Sequence, residues 1–265
     1  MPPASLALPQ ISVRALAVWR RNFLVWKKLA IPSVLGNLAD PMIYMFGLGY
    51  GLGSLMQGRD AAFGGVPYIA FLAAGTICAS TMNAASFEAL YSAFSRMHVQ
   101  RTWEAIVNGP LSLDDVLLGE LLWSTAKASL SGIAILAVMW LLGLGGSLLW
   151  PLVLPCIALT ALCFTALGLI VTARAPSYDF FMYYFTLIIT PMTVLSGVFF
   201  PLDALPAAVQ SLAWALPLTH AVALTRPLVF GELPADALTH IAVLTGLTLA
   251  SYWLAVILTR RRLLG

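Results

Sequence analysis

Charged residues within apolar stretches are the positions where this sequence could do chemistry, because a charge in hydrocarbon is costly and is usually kept for a function. Glu120 and Lys127 lie seven positions apart in one apolar stretch, so they share a helix face. Glu88 ends another stretch, and Asp40 lies within a third, just before Pro41. Lys127 could neutralise Glu120 or Glu88 across a helix interface, or the set could relay protons. The ion pair is favoured, since a relay normally uses more carboxylates or histidines at depth.

A run of alternating glycines, at positions 47, 49, 51 and 53, has some likeness to a phosphate-binding loop. The run lies in an apolar stretch, however, with no strand before it and no Lys-Ser or Lys-Thr after it. Small residues also let helix backbones approach closely in lipid, and that interpretation is favoured. The sequence has no GxxxxGK[ST] pattern. Any ATP-driven activity would therefore need a separate ATPase chain that binds the ATP and magnesium.

The pattern of residues gives no support for hydrolytic or metal chemistry. His98, His220 and His240 are scattered, no Cys/His ligand spacing occurs, and no serine stands in a GxSxG motif. The three cysteines, at positions 78, 156 and 163, fall in apolar stretches and are expected to pack there. No basic patch is interleaved with aromatics, so nucleic acid is not an expected partner. We expect a chain that binds no metal or cofactor and has no enzymatic activity of its own.

Long apolar segments carry these residues. The chain is 60% hydrophobic and only 9% charged, which is too little charge to cover a soluble domain. A helix needs about 20 apolar residues to cross a bilayer. Six segments meet this requirement and predict an all-α polytopic membrane protein: residues 31–55, 68–91, 116–142, 150–173, 180–200 and 241–258.

The segment before the first span, residues 13–28, has the composition of an amphipathic helix that lies in the headgroup plane. The residues assigned to this interfacial helix are Arg14, Arg20, Arg21, Trp26 and Lys27. The alternative is an ordinary basic cluster beside the membrane without a separate helix. Residues 1–30 are thus predicted to form a cytoplasmic N-terminal region, residues 31–258 the six-helix domain and residues 259–265 a basic tail.

Counts of lysine and arginine on alternate sides predict the orientation, because positive residues are enriched in cytoplasmic loops. With the N-terminus inside, eleven fall on the cytoplasmic side and two, Arg59 and Arg226, fall outside; Lys127 lies within a span. Both termini are therefore predicted to be cytoplasmic, in a bacterial inner membrane.

Two of the segments that connect the predicted spans are longer than is needed to join two helices. Residues 92–115 contain a helix-compatible stretch, 96–107, that an Asn-Gly-Pro sequence ends. Ser112 and Asp115 then predict a capping box at the start of the third span. Residues 201–240 are too apolar for a plain loop, and their prolines divide them into pieces that suit short external re-entrant helices.

Stripes of small and polar residues could face a transported molecule or another helix. One stripe lies on the second span (Gly75, Ala79, Asn83) and one on the fifth (Thr186, Thr190, Thr193, Gly197). Helix packing is slightly favoured. The same faces could serve both helix packing and transport if a pathway forms between subunits. Aromatic residues such as Tyr183 suit sugar rings, although interfacial belts use the same residues. The candidates for a pathway or a helix interface are Asp40, Asn83, Glu120, Lys127, Tyr183, Thr186 and Thr190.

Several longer segments together resemble the type-2 ATP-binding-cassette permease family, most closely its nodulation protein J group, which exports lipo-chitooligosaccharide signals. These segments are DPMIYMFGLGYGLGSLM from position 40, YIAFLAAGTICASTMNAASFEALYSAFSRM from 68, RTWEAI from 101, GELLWSTAKASLSG from 119, and LSGVFFPLDALP and LPLTHAVALTRPL further on. The similarity runs from about residue 19 to residue 258. The segments are specific for the group when taken together, whereas the FFP and PLTH pieces recur across many type-2 exporters.

The resemblance implies a homodimer of six-helix subunits joined to two copies of a cytoplasmic ATPase of the nodulation protein I type. It also implies that the helix between spans two and three is a coupling helix, held in a groove of that ATPase and flanked by the interfacial helix. Trp103 would supply an apolar anchor there and Arg101 directed hydrogen bonds; alternatively, the segment only rests on lipid headgroups. The assigned coupling residues are Arg96, Arg101, Thr102, Trp103 and Glu104.

The expected function is therefore that of the membrane-spanning subunit of an ATP-driven exporter for a lipo-oligosaccharide or a similar amphiphile. A multidrug exporter of the same class is one alternative. An ion-coupled secondary transporter is a less favoured one, because such proteins use broken helices and charges near the midplane. In this sequence only Lys127 clearly fits that description.

Overall fold

The computed structural model describes residues 7–56, 58 and 60–264. Every regular element in that part of the chain is a helix, which confirms the predicted all-α class. The α-helices are α1 (Ala15–Trp26), α2 (Ala30–Leu55), α3 (Tyr68–Phe87), α4 (Thr102–Val107), α5 (Leu113–Leu141), α6 (Trp150–Arg174), α7 (Asp179–Tyr184), α8 (Thr190–Leu195), α9 (Ala207–Ala213), α10 (Pro217–Phe230) and α11 (Ala237–Leu263). π-helical turns at Glu88–Ser92 and Ser95–Val99 extend α3, and another at Phe185–Ile189 joins α7 to α8.

Five helical segments of the described chain are long and apolar enough to cross a membrane. They are Ala15–Leu55, which joins α1 and α2, Tyr68–Val99, which extends α3, and the helices α5, α6 and α11. The predicted span 180–200 is shorter in the structure, where α7, the π-helical turn and α8 form an apolar helix of 17 residues. That length is at the lower end of the spanning range. The helix stops early because Gly197 has a φ of 75°, a left-handed backbone that terminates helices.

The third span begins with the predicted capping box. The Ser112 hydroxyl accepts a hydrogen bond from the Asp115 N–H at 3.2 Å, and the Asp115 carboxylate accepts one from the Ser112 N–H at 2.9 Å. These two contacts satisfy backbone donors that would otherwise lack partners at the helix start. α5 therefore begins at Leu113, three residues before the predicted boundary.

The predicted external segment forms a sharply bent helix pair, in which α9 and α10 meet at 88°. Pro206 directly precedes α9, and Pro217 is the first residue of α10, a position that suits proline. The expectation that Pro227 also divides this segment is wrong, since α10 continues through it and ends at Gly231, whose φ is 90°. α10 packs against α3, α6 and α11. Protein thus surrounds this helix, as a re-entrant element requires.

The second span lies at the centre of the molecule, and the first lies at its edge. In their most apolar windows, 83% of the residues are buried for the segment Tyr68–Val99 but only 6% for Ala15–Leu55. α3 contacts α2, α5, α6 and α10, so neighbouring helices cover most of its surface. The first span therefore leaves an extensive apolar face available to lipid or to another protein.

Both ends of the described chain lie at the same end of the helix bundle. Arg260, near the end of α11, pairs with Asp114 at the start of α5, with Nη2 and Oδ2 2.5 Å apart. Arg260 Nη1 also donates to the Ala7 carbonyl at 2.7 Å. We call this the termini end; it also carries α4. Residues 259–263 continue α11 to Leu263, so the predicted basic tail is mostly the last turn of the sixth span.

Candidate functional site

Glu88 and Glu120 form the centre of a buried charge cluster at the termini end. Arg96 lies between them, with Nη2 3.0 Å from Glu88 Oε1 and 2.5 Å from Glu120 Oε2. Lys127 Nζ lies 2.7 Å from Glu88 Oε2. The structural ion pair is therefore confirmed, with Glu88 as the partner of Lys127 and Glu120 held by Arg96. Both carboxylates are at most 3% exposed and already paired, an arrangement unlike a proton relay, which needs a carboxylate free to accept a proton.

Three neutral side chains complete the cluster by donating hydrogen bonds to the same carboxylates. Glu120 Oε1 accepts from the Trp103 indole at 3.1 Å and from Asn22 Nδ2 at 3.2 Å. Glu88 Oε1 accepts from the Trp123 indole at 2.8 Å. Buried charges are tolerated when they are both paired and hydrogen-bonded. The cluster consequently ties α1, α4, α5 and the extension of α3 together at one point.

The two π-helical turns that extend α3 place Glu88 and Arg96 in the same cluster. Residues eight positions apart on a regular α-helix point about 80° away from each other, since each residue turns the helix by about 100°. π-helical turns, with hydrogen bonds from i to i+5, hold more residues per turn and reduce that offset. Such turns recur at functional sites, and nothing in the apolar pattern of the sequence signals them.

The predicted coupling helix is divided in the structure. The extension of α3 runs to Val99, Arg101 has a left-handed backbone with a φ of 49°, and α4 contains only six residues. Trp103 is 1% exposed and is turned towards Glu120, and Arg96 lies inside the charge cluster. The expectation that these two residues supply contacts to a partner is therefore corrected. Trp103 fastens α4 to α5, and Arg96 fastens the extension of α3 to α5.

The outer face of α4 carries the remaining predicted coupling residues. Arg101 and Glu104 are exposed, and Thr102 is half-buried. A free helix of six residues would not be stable in water, so the inward contacts of Trp103 account for its being ordered. α4 is thus a rigid, polar projection at the termini end.

The N-terminal segment forms the predicted helix, and one face of it packs on α5. Ala15, Val18 and Asn22 are buried on that face. Gly119 permits the close approach, because a Cβ atom at this position would lie 2.5 Å from the Val18 Cβ. Of the residues assigned to this segment, Arg14, Arg20 and Lys27 are exposed, and Arg21 and Trp26 are half-buried. The structure thus has a packed helix here rather than only a basic cluster, and Lys27–Leu29 connects it to α2 in one helical segment. Its position in the headgroup plane stays a prediction.

A cleft of about 410 Å³ opens beside the charge cluster, bounded by α1, the extension of α3, α5 and the start of α7. Ligand pockets are commonly about 300–1,000 Å³. Charged and aromatic side chains line the cleft: Arg21, Glu88, Arg96, Lys127, Trp26, Tyr91, Trp123 and Tyr178. Trp123 is 3% exposed and packs 5.8 Å from the ring of Trp26.

The remaining pathway candidates lie on an outer face of the subunit. Asn83, Tyr183, Thr186 and Thr190 are all exposed, and Phe87, one turn beyond Asn83, packs 5.0 Å from Phe185. The contact between Phe87 and Phe185 brings the second span against the predicted fifth span, and the four candidates lie exposed beside it. The side chain of Asp40 lies outside the described residues.

Small residues on the first and second spans have separate roles. Gly75 is buried against α10 and Val198, since a Cβ there would lie 2.7 Å from Arg226 Nη2 and 2.8 Å from the Val198 carbonyl. Arg226 in turn donates to the Gly197 carbonyl at 2.7 Å. At Gly49 an added Cβ would lie 2.7 Å from Ile69, which supports the helix-packing interpretation at that position of the glycine run. Positions 47 and 51 face open space.

Two of the three histidines meet in the structure, which the sequence did not indicate. His220 Nδ1 and His240 Nδ1 are 2.8 Å apart, and the Trp214 ring stacks on His240 at 5.8 Å. The contact fastens the bent pair of α9 and α10 to the start of α11. Twenty residues separate the two histidines, and only the reversal of the chain between α10 and α11 brings them together.

The site thus combines a charge cluster, a polar projection and an adjoining cleft, and its parts are suited to binding and to transmitting movement. Comparisons with known proteins identify the family of the chain. Residues 14–230 match the family described as ABC-2 type transporter. The chain is 51% identical to nodulation protein J of Rhizobium leguminosarum bv. viciae over 97% of this chain and 98% of the relative. It is 48% identical to nodulation protein J of Rhizobium meliloti over 97% of both.

A more distant relative is the inner membrane transport permease YadH of Escherichia coli, with 26% identity over 89% of each chain. These matches cover the charge cluster, α4 and the cleft, because they include nearly all of the chain. The chain therefore belongs to the ABC-2 type transporter family, as the membrane-spanning permease subunit of an ABC exporter.

Proposed function

We propose that this permease moves a lipo-oligosaccharide or a similar amphiphile outward across a bacterial inner membrane. Two copies would assemble with two copies of a cytoplasmic ATPase of the nodulation protein I type, and the termini end would face the cytoplasm. ATP and magnesium would bind to the ATPase. The observation that carries this proposal is α4, whose outer face exposes Arg101 and Glu104 while Trp103 and Glu120 fix its inner face.

This geometry suits transmission of force. A movement applied to α4 by a partner would reach Glu120 on the third span and, through Arg96, Glu88 on the second. The closure of two ATPases on ATP would thus tilt the central helices of the permease. The exposed face with Asn83, Tyr183, Thr186 and Thr190 would lie along the dimer interface or the pathway that forms there.

A gradient-driven secondary transporter receives less support from the same residues. In the described part of the chain the buried carboxylates Glu88 and Glu120 are paired with cations and lie at one end of the bundle. A multidrug cargo stays an alternative, and no particular contact in the described residues favours it.

The test of the proposal is a charge reversal on the outer face of α4. Glu104→Lys should reduce association with the co-expressed ATPase and abolish its stimulation by the permease. Glu232→Lys is the matched control, because it makes the same charge change at an exposed position outside α4, between α10 and α11. Pull-down of the ATPase and ATP hydrolysis in proteoliposomes are measured at equal expression.

Two outcomes would contradict the proposal. The first is ATP hydrolysis by the purified permease alone. The second is parental ATPase association and stimulation in Glu104→Lys together with Arg101→Glu. The cargo is tested separately, by comparing the lipids and oligosaccharides secreted by a deletion strain and its parent.

A further inference from the structure

The cleft beside the charge cluster has an excess of positive charge. Arg96 and Lys127 are paired with Glu88 and Glu120. Arg21 also lines the cleft, and in the described part of the chain no carboxylate oxygen lies within ion-pair distance of it. Its Nη1 donates to the neutral Asn22 Oδ1 at 2.9 Å. The three cations and two carboxylates therefore leave one positive charge directed at the cleft.

The hydrogen-bonding capacity of the cleft is also unequal. The carboxylate acceptors already have donors within the cluster, whereas some donors that line the cleft have no acceptor in the part of the chain that the structure describes. Both oxygens of Glu88 and both of Glu120 accept hydrogen bonds from inside the cluster. On the donor side, Lys127 uses one of its three protons on Glu88. The hydroxyls of Tyr91 and Tyr178 make no hydrogen bond within the described residues, although both side chains line the cleft. A ligand that fits must therefore be rich in acceptors, as phosphate and sulfate groups are.

The walls of the cleft favour a ligand that also has an apolar part. Trp26 and Trp123 form one aromatic wall, and Tyr91 stacks on Tyr178 at 6.0 Å to form another. Aromatic residues with one polar end are suited to the boundary between headgroups and hydrocarbon. α1, which bounds the cleft, carries the basic and aromatic residues expected at that boundary.

We propose that this cleft binds the anionic headgroup of an amphiphile in the adjacent leaflet, through a phosphate or sulfate group held by Arg21 and Lys127. The identification of that amphiphile as cargo rests on the proposed export function; the binding itself does not. The cleft would then be the entry site at which cargo is recognised before the central helices move.

The experiment measures lipid binding to the purified full-length protein by native mass spectrometry. The probes are phosphatidylglycerol, a neutral diacyl glycolipid with the same acyl chains, and sodium phosphate. Phosphatidylglycerol should bind more tightly than the glycolipid. Arg21→Gln should weaken its binding about tenfold, the order expected for one charge-assisted contact.

Arg20→Gln is the matched control, because Arg20 is the neighbouring residue of α1 and is exposed without lining the cleft. It should change binding less than about twofold. Tyr178→Phe keeps the ring contacts and removes one donor, so it should weaken binding about threefold. It also provides an independent test if Arg21→Gln lowers the yield of folded protein.

Equal losses in Arg20→Gln and Arg21→Gln would overturn the proposal, because they would indicate general attraction to a basic surface. Equal binding of the neutral glycolipid would also overturn it. If sodium phosphate competes as strongly as the lipid, the lipid headgroup is not the ligand. If the cleft binds no lipid, the proposed function is unaffected. If the protein binds lipid but does not stimulate its ATPase partner, only the proposed function is contradicted.

Discussion

Trp103 of α4 donates its indole N–H to Glu120 of α5 at 3.1 Å, and both side chains are 1% exposed. This contact joins the loop between two spans to the body of the bundle. It also makes a residue expected at a partner surface part of the fold of its own subunit.

The Trp103 contact predicts a specific loss of stability. Trp103→Phe keeps most of the buried ring and removes one hydrogen bond to a charged acceptor, so it should cost about 1.5–3 kcal/mol. Trp140→Phe should have little effect, since Trp140 is 65% exposed. Thermal unfolding of the purified protein in detergent measures both variants. Equal destabilisation by Trp103→Phe and Trp140→Phe would mean that the hydrogen bond to Glu120 does not contribute to stability.

The pair of Lys127 and Glu88 should show energetic coupling. Removal of one partner from a buried ion pair is expected to cost up to about 3–5 kcal/mol, and less for Lys127 because Arg96 also pairs with Glu88. Lys127→Met should therefore destabilise the protein far more than Lys27→Met, which changes an exposed lysine. In a double-mutant cycle with Glu88→Gln, the two changes should deviate from additivity by at least about 0.5 kcal/mol. Additive effects would mean that the two side chains do not interact.

The packing of α1 on α5 should depend on the absence of a side chain at Gly119. In Gly119→Ala the new Cβ would lie 2.8 Å from the Ala15 carbonyl, so the backbone of α1 would have to move. We expect a loss of about 1–3 kcal/mol and faster proteolysis of the N-terminal segment. Gly246→Ala is the control, because an added Cβ there meets nothing within 4 Å. Adding Val18→Ala to Gly119→Ala should not restore stability, because the new Cβ would also clash with the backbone carbonyl of Ala15.

The proposed orientation can be tested by cysteine labelling with a membrane-impermeant reagent. On a background without the natural cysteines at 78, 156 and 163, Glu104→Cys should be labelled only after permeabilisation. Glu232→Cys should be labelled in intact spheroplasts. Both positions are exposed in the structure, so a lack of reaction reports the membrane barrier. Labelling of Glu104→Cys in intact spheroplasts would reverse the assigned topology.

The sequence was sufficient to predict the helical class, the approximate spans, the capping box at Ser112 and the family. These features depend on local properties, namely apolar length, helix-start chemistry and a set of contiguous motifs. The fifth span was less predictable. Its apolar run continues to Phe200, and the left-handed backbone at Gly197 ends the helix inside that run.

The charge cluster was only partly predictable. Charges in apolar stretches identified Glu88, Glu120 and Lys127, but their partners depend on which faces of different helices meet. The π-helical turns change which residues of the second span face Glu120, and they alone place Arg96 between the two carboxylates. Periodicity cannot reveal this, because one additional residue per turn leaves the apolar composition unchanged.

The partners of Trp103 and His220 were decided by tertiary structure alone. An indole in a loop is equally suited to lipid headgroups, a partner groove or a buried carboxylate, and the sequence does not distinguish among them. The fold distinguishes them because Glu120, buried on α5, requires donors, and the Trp103 indole of α4 supplies one of them. Likewise, His220 and His240 meet because α10 reverses into α11. Local sequence thus determined which segments are helices, whereas the need to satisfy buried polar groups determined how those helices are fastened together.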